Sequence, residues 1–234
     1  RDLIVTGVQT CALPISEIAW GLTTGFVDCY DLFIEEIDTD QYLTQSGWRS
    51  LETSVETINV KGKPSQDITV KKTHHGVLLE PLMKELGLST CKNTKYQTSL
   101  YWSLQNVATS AGALALLPTA KSAKEFGEFL FENEVCPLVN NIICVDKESQ
   151  LERYIATTTP VRKGATGSVP LAGWIDKYDF LLAKPEQLLV EKNPPSGFSL
   201  TANNDTMGET GEFYIHNFPA HNARADRIRE LLVQ

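Results

Sequence analysis

Asp28 and Asp31 stand three positions apart with the Tyr30 carbonyl between them. Together they are hard oxygen donors that suit a cation such as calcium. The same pair also reads as a solvated or capping acidic surface, and its spacing is not that of an EF-hand loop. Near the other end, Asn203-Asn204-Asp205 supplies two side-chain amides. Asparagine tolerates left-handed backbone, so by itself the pair reads as a turn. His74-His75-Gly76 invites an acid–base reading, but two imidazoles before a glycine at a strand end read first as structure. Arg224 has Arg227 and Arg229 close by, the pattern of a solvated helix face. Of the five cysteines, Cys11, Cys29, Cys91, Cys136 and Cys144, none makes a CxxC pair or has a histidine at zinc-site spacing. The sequence alone pairs none of them in a disulfide.

Two stretches carry more than their residue types. One is Trp20-Gly21-Leu22-Thr23-Thr24-Gly25-Phe26-Val27-Asp28-Cys29-Tyr30-Asp31, the other Gly197-Phe198-Ser199-Leu200-Thr201-Ala202-Asn203-Asn204-Asp205 after Pro194-Pro195. In wording and order they resemble the β-subunit of the penicillin acylase family of N-terminal-nucleophile hydrolases. Pro160-Val161-Arg162, Gly164, Pro170, Gly173-Trp174 and the stretch Ala225 to Leu232 extend the resemblance over Glu17 to Gln234. One departure is the turn after Asp146, where relatives tend to carry glycine and asparagine.

The resemblance implies an α+β chain forming part of a four-layer αββα sandwich. It also implies hydrolysis of an acyl-amide bond through an acyl-enzyme. In the family, the serine that begins the mature β-chain attacks and its own α-amino group is the base. A free α-amine titrates near ~7.7–8.0, so a usable fraction is unprotonated at neutral pH. That serine is expected several strands upstream of Trp20, and Ser16 lies too close to it. By position, the resemblance makes the Thr24 backbone N–H the first oxyanion donor and the Asn203 side-chain amide the second. It makes Arg224 the support of the amine and of the asparagine. It places calcium on Asp28, Tyr30 and Asp31, with Glu212 a loose further ligand, and calls for no organic cofactor. Leu22 and Phe26, flanking Thr24 at strand spacing, would line the acyl pocket, while Trp102 is expected in the core. The implied substrate is a small penicillin-like or N-acyl-homoserine-lactone-like amide, the implied partner an α-subunit cut from the same precursor, the implied location periplasmic or extracellular.

The elements that must hold these groups are partly legible. Glu17 to Phe33 has a strand character, and Glu35 to Asp40 reads as an acidic surface segment. Glu56 to Val60 and Asp67 to Val70 alternate around Lys61-Gly62-Lys63-Pro64, which predicts a hairpin with a longer loop. Ser122-Ala123-Lys124-Glu125 is a capping box, and Phe126, Phe129 and Leu130 behind it predict an apolar helix face. Asn141 to Val145 and Leu151 to Thr157 predict a second hairpin, with Cys144 in the core. The Pro/Gly-rich stretch from Pro160 to Gly173 reads as a long ordered surface loop. Arg224 to Leu232 reads as a short amphipathic helix with Ile228, Leu231 and Leu232 on one face. Strands, then helices, then strands again make an α+β chain of sheets covered by helices.

The 234 residues suit one domain or a large piece of one, at 42% hydrophobic and 21% charged. A net charge of -8 repels phosphate backbones, which argues against nucleic acid as a partner. No apolar run reaches the ~18–20 residues of a membrane span. Val5 to Ile15 reads as a translated sequencing adapter, so residues 1–16 are expected to be non-native and 17–234 an incomplete domain. Two function classes follow: a fragment of an amidohydrolase lacking its nucleophile, or a non-enzymatic, calcium-stabilised structural fragment.

Overall fold

The computed structural model describes residues 17–87, 95–104, 115–131, 136, 138–162, 164–179, 181–205 and 221–233. Residues 1–16, Cys91 and Glu212 lie outside them. The chain divides into two compact units, one of residues 1–29, 103–161 and 182–234, the other of residues 30–102 and 162–181.

The first unit is built on β1 (Ile18–Thr24), β9 (Asn140–Asp146), β10 (Leu151–Ala156) and β14 (Leu189–Lys192). They form one sheet in the order β1-β9-β10-β14, with each neighbouring pair antiparallel. The predicted hairpin is β9–β10. Asp146 closes its turn by accepting the Gln150 N–H at 2.8 Å, and Ser149 takes the left-handed φ of 63°. Ile142 and Cys144 point inward and are fully buried. Against them lies the helix α2 (Ala123–Leu130), which follows α1 (Glu80–Glu85) in the chain. Ser122 caps α2, its hydroxyl accepting the Glu125 N–H at 3.1 Å, while the Glu125 carboxylate reaches the Lys121 N–H. The apolar face enters the core as predicted, with Phe126 and Leu130 buried and Trp20 5.7 Å from the Phe126 ring. Burying each such side chain stabilises the unit by about 1.5–3 kcal/mol. α3 (Pro185–Leu188) adds Leu188 to the same core.

The second unit is a larger sheet. Its strands are β2 (Tyr30–Asp38), β3 (Gln41–Thr44), β4 (Gly47–Ser50), β5 (Glu52–Ile58), β6 (Gln66–Lys72), β7 (Val77–Leu78) and β8 (Tyr96–Trp102). They run in the order β4-β3-β2-β8-β7-β6-β5, and β12 (Leu171–Ala172) lies parallel to β2. Two short strands, β11 (Pro160–Val161) of the first unit and β13 (Leu181–Leu182), which straddles the division in sequence, belong to neither of these sheets. β5 and β6 are the first predicted hairpin, longer than the alternation suggested.

Four expectations need correction. Glu35 is no surface residue: β2 alternates strictly, so Asp31, Phe33, Glu35 and Ile37 all turn inward and Glu35 is 0% exposed. Trp102 ends β8 and is half exposed rather than core. The Pro/Gly-rich stretch contributes two short strands instead of running as a loop throughout. The helix α4 (Ala223–Leu232) buries Ala225, while Leu231 and Leu232 stay exposed.

Candidate active site

Gly25 begins the geometry. It follows β1, and its N–H donates to the Val139 carbonyl at 2.9 Å. A Cβ there would come within 3.3 Å of that same oxygen, so the strand end seats closely on its neighbour. The register continues with Thr24 opposite Asn140. Facing residues in antiparallel strands alternate between bonded and non-bonded pairs. Since Gly25 is bonded, Thr24 falls on a non-bonded pair, and its N–H and C=O turn away from β9 toward the outer side of β1.

On that side the Thr24 carbonyl meets Asn203, whose Nδ2 donates to it at 2.9 Å across 179 positions of chain. The other end of the same amide is held as well. Arg224 Nη2 donates to Asn203 Oδ1 at 2.6 Å and to the Ala202 carbonyl at 2.6 Å. Arg224 stands in the first turn of α4, where Arg227 pairs with Glu230 and Arg229 with Asp226. Asn203 has φ 64°, and Asn204 Oδ1 accepts the Ala202 N–H at 3.0 Å. The pair is therefore a turn, and within that turn the Asn203 amide is clamped. Thr201 and Thr23 tie the loop to β1 through their hydroxyls at 2.8 Å.

The structure thus gathers Thr24, Asn203 and Arg224 into one cluster. An amide nitrogen carries two hydrogens, and the bond to Thr24 uses one. The second N–H of Asn203 and the backbone N–H of Thr24 are two donors within about one residue's length. Such an arrangement suits an oxygen that gains negative charge, because fixed donors need no reorganisation when the charge appears.

The two expected pocket residues, Leu22 and Phe26, flank Thr24 along the chain. Leu22 is half-buried and packs on the first unit's core. Phe26 lies beyond the strand end at φ 52°, so it does not share the Thr24 face at strand spacing. An aromatic side chain in left-handed backbone is an outlier of the kind found at functional sites. Sequence alternation gave no sign of it, nor of the Thr23–Thr201 tie.

The calcium ligands can be tested on their surroundings. Asp31 is buried, and Arg162 Nε lies 3.0 Å from its Oδ1 and 2.9 Å from its Oδ2. Arg162 Nη2 also reaches the Tyr30 carbonyl at 3.4 Å. A guanidinium thus stands against two of the three oxygen sources expected to hold calcium. Asp28 belongs to the first unit, where it is buried and its carbonyl accepts the Thr159 hydroxyl at 3.0 Å.

Cys136 and Cys144 are buried free thiols, and Cys29 is buried with its sulfur 3.4 Å from the Thr157 hydroxyl. Burial pushes the Cys136 thiol up to about 12 and raises that of Cys144 as well. Among the described residues, no helix is long and apolar enough to cross a membrane.

The family model described as penicillin amidase matches residues 4–234. The chain is 25% identical to the acyl-homoserine lactone acylase QuiP of Pseudomonas syringae over 97% of its own length. It is 27% identical to penicillin G acylase of Escherichia coli over 80% of its length. It spans 28% of the first relative and 21% of the second. Among solved structures it resembles a thermostable penicillin G acylase from Alcaligenes faecalis, with a TM-score of 0.70 at 21% identity, covering 92% of this chain and 38% of that one. That likeness shows the fold to be the sheet-dominated α/β fold of the N-terminal-nucleophile hydrolases.

Proposed function

This chain belongs to the penicillin amidase family, and on that premise we propose that it carries the oxyanion-binding part of an amidohydrolase. The observation that supports the reading is the Asn203 amide fixed between Arg224 and the Thr24 backbone. In the proposed reaction a serine hydroxyl, supplied by residues upstream of Trp20, adds to the amide carbonyl carbon and gives its proton to an α-amine. The carbonyl oxygen takes up the electron pair as an oxyanion, against the Thr24 N–H and the Asn203 amide. Collapse expels the protonated amine and leaves an acyl-enzyme, which water hydrolyses. The substrate class is a small amide with an apolar acyl group, of the penicillin or N-acyl-homoserine lactone kind. The α-subunit of the same precursor would supply the rest of the pocket, and a periplasmic or extracellular location would suit such substrates.

The test has two arms. The 234-residue chain alone should release no acyl group from chromogenic phenylacetyl and fatty-acyl anilides. The protein restored with its upstream sequence should release one of them, and Asn203→Ala should cut its turnover ~10²–10³-fold while circular dichroism stays unchanged. Release by the chain alone, or normal turnover in the restored variant, would overturn the assignment.

A further inference from the structure

The second unit holds a separate group of metal-ligating side chains. His74, His75 and Asp179 bring one donor atom each within 4.8 Å of one another. Asp179 Oδ1 lies 3.0 Å from His75 Nε2 and 3.8 Å from His74 Nε2. The opposite nitrogen of each ring is already engaged. His75 Nδ1 meets Glu35 Oε1 at 2.9 Å, and His74 Nδ1 meets the Tyr42 hydroxyl at 3.2 Å.

Glu35 is fully buried, and the same oxygen accepts the Thr73 hydroxyl at 2.9 Å and the Ser99 hydroxyl at 2.7 Å. Phe33 stacks flat on the His75 ring, with centroids 3.7 Å apart and planes 7° from parallel. The ring is therefore fixed in its plane and along its axis. A carboxylate behind a histidine is what orients metal-ligating imidazoles and makes them better donors. On the far side, the Asp179 side chain is 45% exposed and that of His74 26%, so an ion has a way in past these two to the buried His75.

We propose that His74, His75 and Asp179 form a three-ligand site for a divalent transition ion of the zinc class, with a fourth position for water. Two imidazoles and one carboxylate suit zinc, whereas calcium takes ~6–8 oxygens. Tetrahedral ligands at ~2.0–2.2 Å from an ion lie roughly 3.3–3.6 Å from one another. The two spacings to Asp179, 3.0 and 3.8 Å, bracket that range, so small side-chain shifts complete the site. A bound ion ties the turn between β6 and β7 to a segment 104 positions later, beside the 3-10 turn Asp176–Tyr178. It thereby stabilises the second unit by mass action.

The experiment is a calorimetric titration of the chelator-treated 234-residue chain with zinc, with melting curves and visible spectra of the cobalt form. The expected results are one saturable equivalent of zinc, a raised Tm, and cobalt ligand-field bands without thiolate charge transfer. His74→Gln, at an exposed position, and Asp179→Asn should each weaken binding by at least ~10-fold with unchanged circular dichroism. Absence of saturable binding, a thiolate band, or undiminished affinity in both variants would overturn the proposal. The cobalt spectrum of the unsubstituted chain keeps the test independent of how either variant folds.

Discussion

Asn203 is held at both ends of its amide, and the two ends give different predictions. Asp at this position would keep the left-handed turn and the bond from Arg224, yet it cannot donate. In the restored protein, Asn203→Asp should therefore lower turnover about as far as Asn203→Ala, ~10²–10³-fold, with thermal stability retained. Steady-state kinetics beside a melting curve would check this, and a rate near that of the unsubstituted protein would reduce Asn203 to a turn residue. Asp31 and Arg162 form a pair whose side chains are only 1% and 2% exposed. Removing one partner strands a buried charge, so Asp31→Ala should cost about 3–5 kcal/mol in urea unfolding. Because Arg162 already lies against Asp31 and the Tyr30 carbonyl, millimolar calcium is expected to leave the Tm of the unsubstituted chain unmoved. A clear rise would show that calcium displaces Arg162.

At the scale of elements, α2 carries a test of packing against propensity. Alanine is the better helix former by about 1 kcal/mol, so Gly127→Ala should stabilise an isolated helix. In this fold a Cβ on Gly127 would lie 2.7 Å from the Tyr154 ring carbon that bears the hydroxyl. The substitution must push α2 off β10 or tilt the ring, and we expect a lower Tm. An unchanged or raised Tm would mean that Tyr154 yields cheaply. The cap belongs to the same element: Ser122→Ala should cost ~1 kcal/mol, because the Glu125 N–H loses its acceptor.

For the whole molecule, the described cysteines measure how completely the first unit closes. Cys136 has its thiol pushed up to about 12 by burial, and Cys144 is shifted the same way. The thiolate is the reactive form. At pH 8 the folded chain should therefore leave both unalkylated by iodoacetamide, while the urea-unfolded chain reacts at each, as peptide mapping would show. Rapid native alkylation of either would mean that the first unit opens readily. What the sequence determined by itself was local or ordered along the chain. The two hairpins, the capped helix α2 and the motif order that marks the family all rest on residues a few positions apart, or on wording that needs no coordinates. Only the tertiary structure decided that the Asn203 amide donates to the Thr24 carbonyl, that Glu35 leaves the surface to sit behind His75, and that Arg162 stands against Asp31. Those partners lie tens to hundreds of positions apart. Strand alternation and propensity state which side of an element a residue takes, but the packing of the elements chooses which group waits on that side.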